Sequence, residues 1–181
     1  DTASQGEPGG AALAVDPDPL DSVSYSLDVD AGGRFAIDPV SGVVTVAGAI
    51  DREAAASHAI TVRATSTDTT FVTKGFVIAV GGVNDNAPVI TSLGGGASAS
   101  PTVPEGSKLA AALTATDADL PAQGLTWSIT GGADAGRFVV DPSTGALSFV
   151  AVPNFDAPVD ANADNVYLVD VQVSDGSLVD T

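Results

Sequence analysis

The chain has 181 residues, enough for one or two domains that each bury a core. Its 23 acidic and 6 basic residues leave a formal charge of −17, which excludes nucleic acid and anionic membrane as partners and suits a protein that holds cations. Without cysteine there is no disulfide and no thiolate nucleophile or zinc ligand, and no run of about 18 apolar residues offers a membrane span.

In chain order, the Gly-rich start up to Gly10 predicts a short or clipped first strand. The alternation after it is of period two throughout. Ile60, Val62 and Ala64 fall on one face of a strand, and Phe76, Ile78 and Val80 do the same just before Val83-Asn84-Asp85-Asn86-Ala87-Pro88. Beyond that linker the pattern starts again. Gly33-Arg34-Phe35-Ala36-Ile37-Asp38-Pro39-Val40-Ser41-Gly42 returns as Gly136-Arg137-Phe138-Val139-Val140-Asp141-Pro142-Ser143-Thr144-Gly145. Asp16-Pro17-Asp18 pairs with Asp117-Ala118-Asp119, Tyr25 with Trp127, and Asp51-Arg52-Glu53 with Asn154-Phe155-Asp156. After a short insertion, Tyr167, Val169, Val171 and Val173 form the strand face that answers Ile60, Val62 and Ala64. Two homologous domains are predicted, 1–86 and 87–181, the second with a truncated last strand. No stretch carries a helical stripe, so the fold class is all-β: two tandem Greek-key β-sandwiches of immunoglobulin-like architecture. The absence of methionine leads us to expect an excised or processed piece, in which case a secretory signal, absent from this segment, would lie outside it or have been removed.

The carboxylates collect near strand ends. Asp51 and Glu53 leave a strand of the first copy, Asp85 sits in the linker, Asp117 and Asp119 open a loop of the second copy, and Asp175 ends a later strand there. Sandwiches packed end to end would gather these six, and their mutual repulsion would need cations. Oxygen ligands in such number and flexibility suit calcium better than magnesium.

On these residues the chain resembles the cadherin repeat. The motifs are Ile50-Asp51-Arg52-Glu53, Asn84-Asp85-Asn86-Ala87-Pro88, Pro104-Glu105-Gly106, Asp117-Ala118-Asp119 and Val173-Ser174-Asp175. The resemblance implies three calcium ions at the joint. Asp51, Glu53 and Asp85 would hold the outermost, and Glu53, Asp85, Asp119 and the Val83 carbonyl the middle one. Asn84, the Asn86 carbonyl, Asp117, Asp119 and Asp175 would hold the third. Gly82 stands where the family's linker begins with aspartate, which removes a carboxylate from the middle site. The family's N-terminal glutamate falls near Glu7.

The insertion Asp160-Ala161-Asn162-Ala163-Asp164-Asn165 places oxygen donors at Asp160, Asn162 and Asp164, as calcium loops do, but lacks their glycine and distal glutamate. It reads equally as an acidic hairpin. No nucleophile elbow or oxyanion pattern accompanies His58, the single histidine, so no enzyme is expected. Tyr25, Phe35, Trp127, Phe138 and Tyr167 belong to the core, leaving Phe71 and Phe155 as the least buried aromatics.

The Ala/Gly/Thr/Asp-rich composition is similar to bacterial cadherin-like repeats of secreted or surface adhesins, such as rhizobial adhering proteins. That resemblance implies an extracellular or cell-surface module of biofilms, lectin-like, that binds an acidic exopolysaccharide or other surface glycan when calcium orders it. A calcium-stiffened spacer is the alternative. Homophilic adhesion lacks the N-terminal tryptophan that strand exchange needs, and the oligomeric state is not specified by the sequence.

Overall fold

The computed structural model describes residues 9–18 and 20–181. They divide into two compact units, one ending at Val83 and the other beginning at Asn84. The division falls ahead of Ala87 because Asn84 and Asn86 hydrogen-bond to Asp175 and Asp119 of the second repeat.

The first unit contains β1 (Gly9–Ala11), β2 (Val23–Val29), β3 (Phe35–Ile37), β4 (Val43–Val46), β5 (Ser57–Ser66) and β6 (Phe71–Ala79). They form two antiparallel sheets, in the order β1-β4-β3 and β2-β5-β6. The chain crosses between the sheets from β1 to β2, β2 to β3 and β4 to β5, while β3-β4 and β5-β6 are antiparallel neighbours within a sheet. Tyr25, Phe35, Val44, Ile60, Val62 and Ala64 form the core between the sheets, and the predicted phase of β5 holds. His58 starts β5 with its ring edge-on to Phe35, centroids 5.9 Å apart.

The second unit contains β7 (Val89–Ile90), β8 (Leu109–Ala112), β9 (Ala115–Thr116), β10 (Thr126–Gly131), β11 (Phe138–Val140), β12 (Ala146–Phe149), β13 (Asp170–Ser174) and β14 (Val179–Asp180). Sheets β11-β12-β8 and β10-β13-β14 enclose Trp127, Phe138, Leu147, Phe149 and Val173, while β7 pairs with β9. Strand β13 begins at Asp170, later than the alternation from Tyr167 predicts. Tyr167 nevertheless keeps the inward phase, edge-on to Phe138 and Phe149.

The duplicated turn shows how local chemistry positions each core. The Asp38 carboxylate accepts from the amides of Val40 and Ser41, and the Asp141 carboxylate accepts from those of Ser143 and Thr144. Pro39 and Pro142 then offer their carbonyls to the amides of Tyr25 and Trp127, both at 2.9 Å. The closing Gly42 and Gly145 have φ of +68°, a region that glycine enters without strain. Space requires glycine as well. A Cβ at Gly145 would stand 2.6 Å from the Leu113 carbonyl and 2.9 Å from the Trp127 ring nitrogen. The repeated motif is thus a structural clasp on the core aromatic.

Candidate metal centre

Two strand ends of the second unit converge on one carboxylate cluster. Asp117 and Asp119 follow β9, and Asp175 follows β13. Each of the three offers a carboxylate oxygen within 4.8 Å of the others. Asp119 is 1% exposed and Asp175 8%.

The cluster is only partly satisfied by protein donors. Asp119 accepts from the Asn86 amide at 3.2 and 3.3 Å and from Asn86 Nδ2 at 2.7 Å. Asp117 Oδ1 accepts from the Asp119 amide at 2.9 Å. Asp175 Oδ1 accepts from the amides of Ser177 and Leu178, both at 2.7 Å. The Leu178 amide, reinforced by Ser177 and Asn84, holds the Asp175 carboxyl below the usual carboxylate range although burial opposes it. On the other side, Asn84 Oδ1, Asp117 Oδ2 and Asp175 Oδ2 are buried without a hydrogen-bond partner. Acceptors left in this way are costly when nothing positive faces them.

The donor chemistry fits a hard cation. All ligands are oxygen, and calcium bonds at about 2.3–2.6 Å, so one ion can join oxygens up to about 5 Å apart. Magnesium, at about 2.0–2.1 Å with strict octahedral geometry, fits this set less well.

The remaining predicted ligands are distributed as follows. Asp51 and Glu53 lie in the turn between β4 and β5 of the first unit, and Val83 closes that unit. The Asp51 carboxylate accepts from the amides of Glu53 and Ala54, and the Ala54 bond lowers its pKa. Asp85 lies in the second unit, where Asn86 Nδ2 donates to its Oδ1 at 3.1 Å. Glu7 falls outside the described residues.

In the insertion, Asp160 Oδ2 accepts from the Asp164 amide and Oδ1 from the Asn165 amide, while Asn162 Nδ2 donates to Asp164 Oδ2. The carboxylates of Asp160 and Asp164 thus accept from donors of the loop itself. Sequence reasoning passed over Asp134, which is 4% exposed and accepts from the amides of Ala161 and Leu168. No motif marks it, since its partners are backbone groups more than 25 residues away.

The comparisons with known proteins agree with this architecture. The profile of the cadherin domain matches residues 1–75. The first repeat is similar to the cadherin domain. Human cadherin-8 is 35% identical over 175 residues, covering 90% of this chain and 20% of cadherin-8. Mouse protocadherin-16 is 35% identical over 149 residues, covering 78% of this chain and 4% of that protein. The chain spans a fifth or less of the length of such cadherin relatives. Among solved structures, human protocadherin-24 EC1-2 superimposes with a TM-score of 0.73 at 20% identity, covering 94% of this chain and 77% of that one. Mouse cadherin-23 EC22-24 gives 0.72 at 21% identity, over 97% and 55%. Both share the cadherin fold, and among the described residues no helix is long and apolar enough to cross a membrane.

Proposed function

We propose that this chain is a calcium-binding extracellular adhesion module. The observation that carries the reading is the trio of buried, unpartnered oxygens on Asn84, Asp117 and Asp175 beside Asp119. In this reading these residues hold one calcium ion, with Asn86 contributing through its carbonyl. The ion supplies the positive charge that the converging carboxylates lack. Asp51, Glu53, Asp85 and Val83 serve further ions, as the resemblance implies. Asp160, Asn162 and Asp164 serve as a structural loop. The test is calcium titration of chelator-treated protein beside Asp117→Asn and Asp175→Asn. Undiminished binding by both variants would refute the assignment.

The calcium-loaded chain acts on a cell surface or in a secreted matrix and binds an acidic exopolysaccharide of the biofilm kind, by its resemblance to bacterial surface repeats. A second reading, the calcium-stiffened spacer of a large surface protein, is favoured by the small share of its long relatives that the chain spans. A glycan array with and without calcium separates the two. Calcium-dependent retention of uronate-containing polysaccharide supports the lectin, and uniform silence supports the spacer.

A further inference from the structure

The edge of a sheet presents amides and carbonyls that another strand can pair with, and β6 is the longest such edge among the described residues. It has nine residues, whereas the other edge strands have two to seven. No described strand pairs with it on the side away from β5. Devices that commonly blunt an edge are missing here. Strand β6 has no proline and no acid, and its ladder with β5 runs from Ala79 to Phe71 without a register shift. The opposite edge of the same sheet, β2, carries Asp28 and a shift between Leu27 and Val29. Eight of the nine β6 residues are exposed, with Val72 at 66% and Val77 at 75%, so the strand is open on both faces.

Gly75 in the middle of β6 has no reason within one chain. It is not among the glycines of positive φ, and a Cβ there would meet nothing nearer than the Ile60 carbonyl at 4.0 Å. A glycine inside a strand weakens it, and the close approach of another backbone is one reason to keep it. The sequence around Gly75 is self-complementary. Gly75 is the midpoint of Phe71–Ala79, so antiparallel pairing of two copies over all nine residues places the two-fold axis there. Gly75 then faces itself, Lys74 faces Phe76, Thr73 faces Val77 and Val72 faces Ile78 of the second copy. Lys74 Nζ already lies 5.5 Å from its own Phe76 ring centroid, and this register offers it a second ring. An axis on Lys74 would instead oppose the two ammonium groups. Two copies of charge −17 repel at long range, and β6 joins them without opposing carboxylates.

We infer that the chain self-associates through β6, two copies joining their β2-β5-β6 sheets into one antiparallel sheet of six strands. The occupant of the edge is a second copy because the strand matches itself in shape and charge over its full length. This surface belongs to the first unit alone and is independent of the calcium and polysaccharide readings above.

The test is sedimentation equilibrium at physiological salt over a concentration series up to about 1 mM, with amide hydrogen exchange on the same samples. The expected result is a monomer–dimer equilibrium, with protection of the β6 amides that grows with concentration. Thr73 and Val77 are exposed and face each other twice across the seam. Thr73→Glu with Val77→Glu opposes like charges there and should weaken the dimer by about tenfold or more. Thr73→Glu with Val77→Lys opposes unlike charges at the same places and should restore it, which separates the seam from any general effect of the substitutions on folding. Sedimentation as a monomer at every concentration overturns the inference, as does an equal loss in the two double variants. Concentration-dependent protection outside β6 moves the interface elsewhere and overturns it too. Protection of the β6 amides that is the same at all concentrations identifies a strand of the same chain as the occupant, and this also overturns it.

Discussion

At the scale of single residues, the duplicated turn is where sequence and structure agree most closely. The shared Asp, Pro and Gly of Gly33–Gly42 and Gly136–Gly145 were legible because each has a backbone reason: amide acceptance, fixed φ and positive φ. Replacing Gly145 with Ala combines a left-handed backbone with a 2.6 Å approach to a carbonyl. We expect a loss of roughly 2–4 kcal/mol in denaturant unfolding. The Thr144 amide, then that of Ser143, holds the Asp141 carboxyl below the usual carboxylate range. A depressed carboxyl stabilises the fold above its unfolded pKa, and that contribution disappears as pH falls through the folded pKa. Asp141→Asn should thus be less stable than the parent at neutral pH, and the gap should close in acid. Thermal midpoints measured from pH 7 down to pH 2 check this. A gap that persists undiminished in acid would mean that charge has no part in it.

At the scale of elements, strand phases were readable from alternation because each strand has one buried face. Val173 and Ala64 fall as predicted. The insertion was not readable. Its Asp160, Asn162 and Asp164 spacing matches a calcium loop, but spacing says nothing about which donors are already engaged. Tertiary contacts decide that: Asp134 clasps the loop at Ala161 and Leu168 from another part of the chain. Asp134→Ala leaves the part-buried amides of Ala161 and Leu168 without their acceptor and should cost about 1–3 kcal/mol. The convergence of Asp117, Asp119 and Asp175 was legible in their places at strand ends and in the motif resemblance, although Asp175 lies far along the chain from the other two. Asp119→Ala should therefore lower calcium affinity more than Asp160→Ala, by at least tenfold in a titration. Equal losses would move the main site to the insertion.

At the scale of the whole molecule, a charge of −17 opposes the compact state until cations bind. An ion that binds the folded ligand set and not the unfolded chain stabilises by about 2.7 kcal/mol at a hundredfold excess over its dissociation constant. Calcium should accordingly raise the thermal midpoint, and sodium at equal ionic strength should not reproduce the rise, since screening relieves repulsion without coordination. The most direct test of the account is calorimetric titration of the chelator-treated chain with calcium, beside Asp119→Ala. The account predicts saturable binding with a dissociation constant of about 10⁻⁴–10⁻³ M or tighter, weakened at least tenfold in the variant. Folded protein that takes up no calcium at millimolar concentration would contradict it.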